Sequence, residues 1–143
     1  MNKKFLVATI VSLAFSSGVY ANEACNETTL HGYMENIKDE MWAMSSDIKS
    51  GDNESASKHL DTLITFFEKA RTETPYKFKA EGLEGNLLET QKKEFIAVID
   101  ESITIFKNLE VALQSGDTSE IRKWISAAGN QRKLGHREFK ANC

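Results

Sequence analysis

Apolar residues recur at alternating steps of three and four in four stretches of the chain, which is the spacing of one face of an α-helix. In the first stretch this face carries Leu30, Met34, Ile37, Met41, Met44 and Ile48. The pattern predicts helices at about residues 27–48, 55–72, 90–114 and 119–140. One Pro and eight Gly supply too few turn signals for an all-β sandwich, so we predict an all-α protein.

The other three predicted helices carry inward stripes of the same kind. Their inward positions are Ala56, Leu60, Leu63, Phe67 and Ala70; Phe95, Ile99, Ser102, Phe106, Leu109 and Leu113; and Ile121, Ile125, Ala128, Arg132, Gly135 or His136, and Phe139. Compact turns lie at residues 50–53 and 115–117, where Asp117 or Thr118 caps the last helix. A longer connection joins the second and third helices. These links predict an antiparallel up-down-up-down four-helix bundle.

The beginning of the chain has the pattern of a secretory signal peptide. Lys3 and Lys4 precede an apolar run at residues 5–15, which is too short for a membrane span, and small residues stand at Val19 and Ala21. We therefore expect cleavage after residue 21, export to the periplasm and a single mature domain at residues 22–143. Without Lys3 and Lys4, 16 positive and 21 negative side chains leave a net charge of −5, which disfavours nucleic-acid binding.

The two cysteines stand near the two ends of the mature chain. Cys25 and Cys143 are too far apart in sequence for a CxxC redox motif or a zinc-binding pair. In an exported protein a disulfide between them is the favoured interpretation, and a reactive or intermolecular thiol is the alternative. An up-down-up-down bundle would place both at one end, so the two predictions support each other.

The core pattern fails near the end of the last predicted helix. Ala128, Gly129, Arg132, Gly135 and His136 occupy positions where a bundle normally has Leu or Ile, which predicts a cavity or a ligand site. Measured from the cysteines at about 1.5 Å per residue, Met34 lies about 13 Å and His136 about 10 Å along their helices. We expect these two side chains to face each other at nearly the same level.

A thioether and an imidazole facing each other match the two axial ligands of a haem iron. No CxxCH motif occurs, so covalent attachment is not expected and the haem would be haem b. The simpler alternatives are that Met34 is ordinary core, that His136 favours the helix dipole, and that Arg132 is an exposed charge.

The remaining candidate residues are interpreted as structural. His31 and His59 are predicted to be surface residues, and Trp42 and Trp124 to be partly buried boundary residues. The glutamates of the first helix lack the Glu-x-x-His partner that marks di-iron bundles, and no serine or cysteine has an oriented base, so we predict no enzymatic activity.

From about Leu30 to Lys140 the sequence resembles the soluble periplasmic cytochrome b562 family. Residues 34–39, Met-Glu-Asn-Ile-Lys-Asp, are similar to the family's opening helix around its methionine ligand, and residues 74–77, Thr-Pro-Tyr-Lys, to the end of its second helix. Residues 132–140, Arg-Lys-Leu-Gly-His-Arg-Glu-Phe-Lys, resemble its closing pattern around the histidine ligand. The chain departs from the family at Ile99, where a second Phe can stand, and at Gly135, which replaces a bulkier residue.

The resemblance implies a four-helix bundle that binds one haem b and transfers electrons. The cofactor-binding residues that we expect are Met34 and His136 as axial ligands, with Arg132, Phe95, Ile99 and Ile37 around them. We expect a monomer, and the net charge of −5 predicts a redox partner protein with a basic docking patch. The alternative is a haem-free helical bundle that acts as a binding or chaperone-like module.

Overall fold

A computed structural model describes residues 25–143, which form five helices and, over that range, no strand. The helices are α1 (Thr29–Ser50), α2 (Asn53–Ala70), α3 (Tyr76–Ala80), α4 (Gly85–Ser115) and α5 (Thr118–Phe139). The prediction of an all-α protein is confirmed for this part of the chain. The four long helices end within two residues of their predicted bounds, except that α4 begins five residues early. The signal peptide predicted at residues 1–21 lies outside the described residues.

Side-chain caps and glycines set the limits of the long helices. Thr28 Oγ1 accepts a hydrogen bond from the His31 backbone N–H at 3.1 Å at the start of α1. Gly51, with φ 82°, ends α1 in the left-handed conformation that favours glycine. Asp52 caps α2, and Asp117, not Thr118, caps α5 by accepting hydrogen bonds from two backbone N–H groups. These caps produce the two compact turns that the sequence predicts.

The bundle core is formed where the apolar stripes of neighbouring helices meet. The extensive helix contacts within residues 25–143 are those of α1 with α2, α2 with α4, and α4 with α5. Leu60 and Leu63 of α2 and Leu109 of α4 are fully buried, and Phe67 packs against Phe106 with ring centroids 5.4 Å apart. Because α1 and α5 are not in extensive contact, one side of the bundle is more open than the others.

The connection between α2 and α4 contains the short helix α3, which the sequence analysis did not predict. Pro75 precedes this helix, and its restricted φ of −55° suits the start of a helix. Phe78 of α3 is 1% exposed and its ring lies edge-on to Phe139 of α5, with centroids 6.0 Å apart. The connection therefore covers the end of the core.

Ile125 of α5 and Trp42 of α1 differ from their predicted burial. Ile125 of α5, predicted to point inward, is 37% exposed, while Trp124 and Ala127 are partly buried against the core. The inward face of α5 runs through Ile121, Trp124 and Ala128. A helix has 3.6 residues per turn, so the residue that follows Ile121 on this face can be three or four positions later; the prediction took four, Ile125, and the structure has three, Trp124. Trp124 is partly buried as predicted, but Trp42 of α1 is 77% exposed because it lies on the face away from α2 and the core.

His59 of α2, predicted to be a surface residue, is half-buried and connects two helices. Its Nδ1 lies 2.7 Å from Glu40 Oε2 of α1, and its Nε2 lies 3.6 Å from Asp47 Oδ2 of the same helix. The side chain remains 36% exposed, so His59 lies at the surface as predicted, but α1 packs directly against this part of α2. The imidazole therefore takes part in the α1–α2 contact.

The predicted disulfide joins Cys25, just before α1, to Cys143, just after α5. Their Cα atoms are 6.0 Å apart, within the usual range for a disulfide, and 118 residues separate them in sequence. The bond thus links the beginning of α1 to the end of α5, two helices without extensive contact of their own. Within residues 25–143, no helix is both long enough and apolar enough to cross a membrane.

Candidate functional site

A cavity of about 770 Å³ lies at the end of the bundle that the Cys25–Cys143 disulfide joins. Its walls come mainly from α1, α4 and α5, and both cysteines border it. The cavity is lined by all six residues predicted to bind the cofactor, namely Met34, Ile37, Phe95, Ile99, Arg132 and His136. Its volume lies within the range of roughly 300–1,000 Å³ that is typical of ligand sites.

Small residues on α5 and the separation of α1 from α5 leave this space unfilled. Ala128 and Gly135 of α5 both border the cavity, as the interrupted core pattern predicts. A Cβ atom at Gly135 would lie 3.4 Å from Val98 Cγ1, so α4 passes close behind this glycine. Gly129, which was predicted to share this face, does not border the cavity. One residue along an α-helix turns the side-chain direction by about 100°, so Gly129 points away from the face that carries Ala128.

The floor of the cavity is apolar and is contributed by α4. Phe95 and Ile99 are each 4% exposed. The only buried polar side chain described in residues 25–143 is Ser102, which also borders the cavity and donates a hydrogen bond to the Val98 carbonyl at 2.8 Å. Gln131 Nε2 donates to the same carbonyl at 3.1 Å. Because these polar groups are satisfied by the backbone, the floor favours an apolar ligand.

On the α1 side, Met34 offers a thioether sulfur to the cavity. The residue is half-buried and packs against the core, with Ile37, 5% exposed, one turn further along the helix. A thioether is a soft, uncharged donor with no proton to lose, so it suits a soft metal ion better than it suits a hydrogen-bonding ligand. Met34 is therefore able to serve both as a packing residue and as a metal ligand.

On the α5 side, His136 offers an imidazole. The residue is exposed, yet partial burial of its ring is the largest effect on its pKa and lowers it, and the positive charges of Arg132 and Lys140 lower the pKa further. At neutral pH the ring is therefore uncharged and has a lone pair on one nitrogen. Arg132 and Lys140 lie one turn before and one turn after His136, and both border the cavity.

The donors and the lining together define the ligand that the site fits. Within residues 25–143, no three His, Cys, Asp or Glu side chains come together as a site for a metal ion. Met34 and His136 each supply one donor atom. Two donors suit a metal ion that is already held by a larger ligand, because that ligand fills the remaining coordination positions of the metal. The apolar floor and the cations Arg132 and Lys140 fit a large apolar ligand with negatively charged groups at its edge.

One donor that borders the cavity was not predicted from the sequence. His31 of α1, predicted to be a surface residue, is half-buried and lies in the wall beside Met34. His31 keeps part of its surface exposed, but the cavity reaches the first turn of α1 and includes this residue in its wall. The spacing of three residues from His31 to Met34 was the available signal, since residues three apart share a helix face.

The comparisons with known proteins yield one match. A family model described as Cytochrome b562 matches residues 29–140, which extend from the first residue of α1 to the end of α5. No significant match was found among curated proteins or among solved structures.

Proposed function

This chain belongs to the cytochrome b562 family, and on that basis we propose that it is an electron-transfer protein that binds one non-covalent haem b, with Met34 and His136 as axial ligands. The observation that carries the proposal is that a single apolar cavity has a thioether on its α1 wall and an uncharged imidazole on its α5 wall. Such a site accommodates a macrocycle that brings its own equatorial nitrogen ligands to the metal.

The residues around the cavity would have separate roles. Met34 and His136 would each donate a lone pair along the axis, and together they would leave no coordination position open to a substrate, which favours electron transfer over oxygen chemistry. Phe95, Ile99 and Ile37 exclude water and provide apolar contact. When bound, the haem iron supplies a one-electron couple between the ferrous and ferric states, and the thioether of Met34 favours the ferrous state.

Charge at the edge of the cavity would orient the ligand. The guanidinium of Arg132 and the ammonium of Lys140 border the cavity together with His136, and within residues 25–143 neither forms an ion pair. Both are available to pair with the propionate groups of a haem. The absence of a CxxCH motif supports non-covalent binding.

We also propose that the protein works in the periplasm, after cleavage near Ala21. Two observations support this location. The pattern at residues 1–21 is typical of a signal peptide, and the Cys25–Cys143 disulfide is of a kind that persists in oxidising compartments.

The charges around the cavity bear on the redox partner. An adjoining groove of about 540 Å³ shares His136 and Lys140 with the cavity. The charged side chains that line the two spaces are five cations and two carboxylates, namely Lys38, Lys77, Arg132, Arg137, Lys140, Glu35 and Glu81. Three of these cations form ion pairs, Lys38 with Glu35, Lys77 with Glu81 and Arg137 with Glu138, and the other two are those assigned to the propionates. The five cations are thus matched by negative groups, and from the net charge of −5 we propose a redox partner with a basic docking patch, whose binding weakens as salt increases.

Visible spectroscopy tests the proposal most directly. Protein purified from a haem-sufficient host, or apo-protein titrated with hemin, should show a Soret band and a sharp low-spin spectrum after dithionite reduction. Acid-acetone extraction should remove the haem, because no covalent bond holds it. A purified protein without Soret absorbance that also fails to take up hemin would refute the proposal and would leave a haem-free binding or chaperone-like bundle as the function to test.

A further inference from the structure

Two possible iron ligands lie next to each other on the α1 wall of the cavity. His31 stands three residues before Met34, and both border the same space. Residues at this spacing have Cβ atoms about 5–6 Å apart on one helix face. Within residues 25–143, the His31 ring forms no hydrogen bond, and only its backbone N–H is engaged, with Thr28. The ring therefore has no structural partner to lose if it binds a metal.

His31 and Met34 lie in the α1 wall of the cavity, and His136 lies in the α5 wall of the same cavity. At about 1.5 Å per residue, the two donors of α1 are separated by about 4.5 Å along the helix axis. Residues 140–143 lie beyond α5 and are not helical, so counting back from Cys143 does not fix the level of His136. Because all three donors border one space, the lining of the cavity does not select one donor of α1 over the other.

We propose that His31 is a second axial donor on α1, which replaces Met34 at the iron when the thioether is removed or when the iron is ferric. This inference rests on the proposed haem function and adds a ligand to the same site. The exchange breaks the bond from Met34 sulfur to iron and forms a bond from a His31 ring nitrogen, with no change in oxidation state. An imidazole favours ferric iron more than a thioether does, so oxidation shifts the equilibrium toward His31.

The other nitrogen donors of the chain are poor competitors for this position. His59 is bound to Glu40 and does not border the cavity. Lys38 does border it, but its ammonium is paired with Glu35, and that hydrogen bond raises the pKa of Lys38. A protonated amine has no lone pair for a metal. Lys140 lies one turn beyond His136 on the α5 side, so it does not face that residue across the cavity.

The test uses the full mature protein loaded with hemin near neutral pH. Four forms are compared by ferric absorption and electron paramagnetic resonance: unsubstituted protein, His31→Ala, Met34→Leu and the double variant. Met34→Leu keeps the apolar volume and removes the sulfur. We expect Met34→Leu to stay low-spin with a bis-imidazole signature, the double variant to become high-spin, and His31→Ala alone to keep the parent ferrous spectrum. Added imidazole should return only the double variant to the low-spin state.

Two results would overturn the inference. One is a high-spin Met34→Leu protein with normal hemin uptake, which refutes the role of His31 while the haem function stands. The other is a double variant that stays as low-spin as Met34→Leu, which would mean that a different group binds the iron. If the unsubstituted protein takes up no hemin, both the proposed function and the role of His31 are wrong.

Discussion

Removal of the Cys25–Cys143 disulfide should lower the stability of the haem-free protein by a large and calculable amount. The bond closes a loop with a sequence separation of 118, and the chain-entropy treatment of such a loop gives about 5 kcal/mol at room temperature. For a chain of this length each kcal/mol corresponds to roughly 3–5 °C in Tm, so the Tm should fall by roughly 15–25 °C. The Cys25→Ala/Cys143→Ala variant is preferred to serine, because Cys25 is 6% exposed and a serine hydroxyl would be buried there.

The disulfide also links, in the folded protein, two helices that have no extensive contact of their own and that form walls of the cavity. We therefore expect weaker hemin binding in the variant together with the lower stability, because ordering α1 against α5 must then accompany ligand binding. Urea unfolding of the apo-protein, oxidised and reduced, measures the stability. The alanine variant treated with the same reductant is the control and should not respond. A loss below about 1 kcal/mol would refute the loop-entropy reasoning.

Three further predictions follow from individual side chains. His136→Ala should remove most of the hemin affinity, whereas Met34→Ala should still bind hemin but have a lower reduction potential. Hemin titration measures the affinity and potentiometry measures the potential; two variants with the same affinity and the same potential would contradict the distinct roles of the two ligands. Gly135→Ala and Gly129→Ala should each stabilise the apo-protein by about 0.5–1 kcal/mol through helix propensity, but only Gly135→Ala should weaken hemin binding, because only Gly135 borders the cavity. Asp100→Asn should lower the free energy of unfolding at neutral pH, because Arg71 donates a hydrogen bond to the Asp100 carboxylate at 2.6 Å and thereby lowers its pKa. In urea unfolding, the difference in stability between the variant and the unsubstituted protein should vanish as the pH falls from 3.8, the ordinary pKa of Asp, through the lowered pKa of Asp100.

Local patterns in the sequence were enough to place the four long helices and most of the core. The stripe from Ala56 to Ala70 on α2 and the stripe from Phe95 to Leu113 on α4 are buried as predicted. Both helices pack against neighbours on the face that the stripe defines, so periodicity alone identifies their buried positions. Periodicity failed on α5, where Ile125 is exposed, because that helix contacts α4 on one side and borders a cavity on another.

The candidate site was predictable because the core pattern failed within it. Small and polar residues around His136 indicated unfilled space. Counting back from Cys143 at a helical rise did not give the level of His136, because residues 140–143 lie beyond α5 and are not helical. The sequence did not reveal α3 or the burial of Phe78, since a five-residue helix carries too little periodicity to be recognised. The position of His31 at the cavity was also not predicted, although its spacing of three residues from Met34 places both residues on one helix face.

Short-range features of the sequence establish the helical class, most limits of the long helices, the buried faces of α2 and α4, and the pair of cysteines available for a disulfide. These properties depend on side-chain period and local capping, which are encoded within a few residues. Packing in three dimensions establishes which helices touch, the separation of α1 from α5, and which side chains border the space between them. These contacts depend on packing between residues about a hundred positions apart in the sequence. The fit of one helix surface against another selects which helices pack together, and no local pattern encodes that fit.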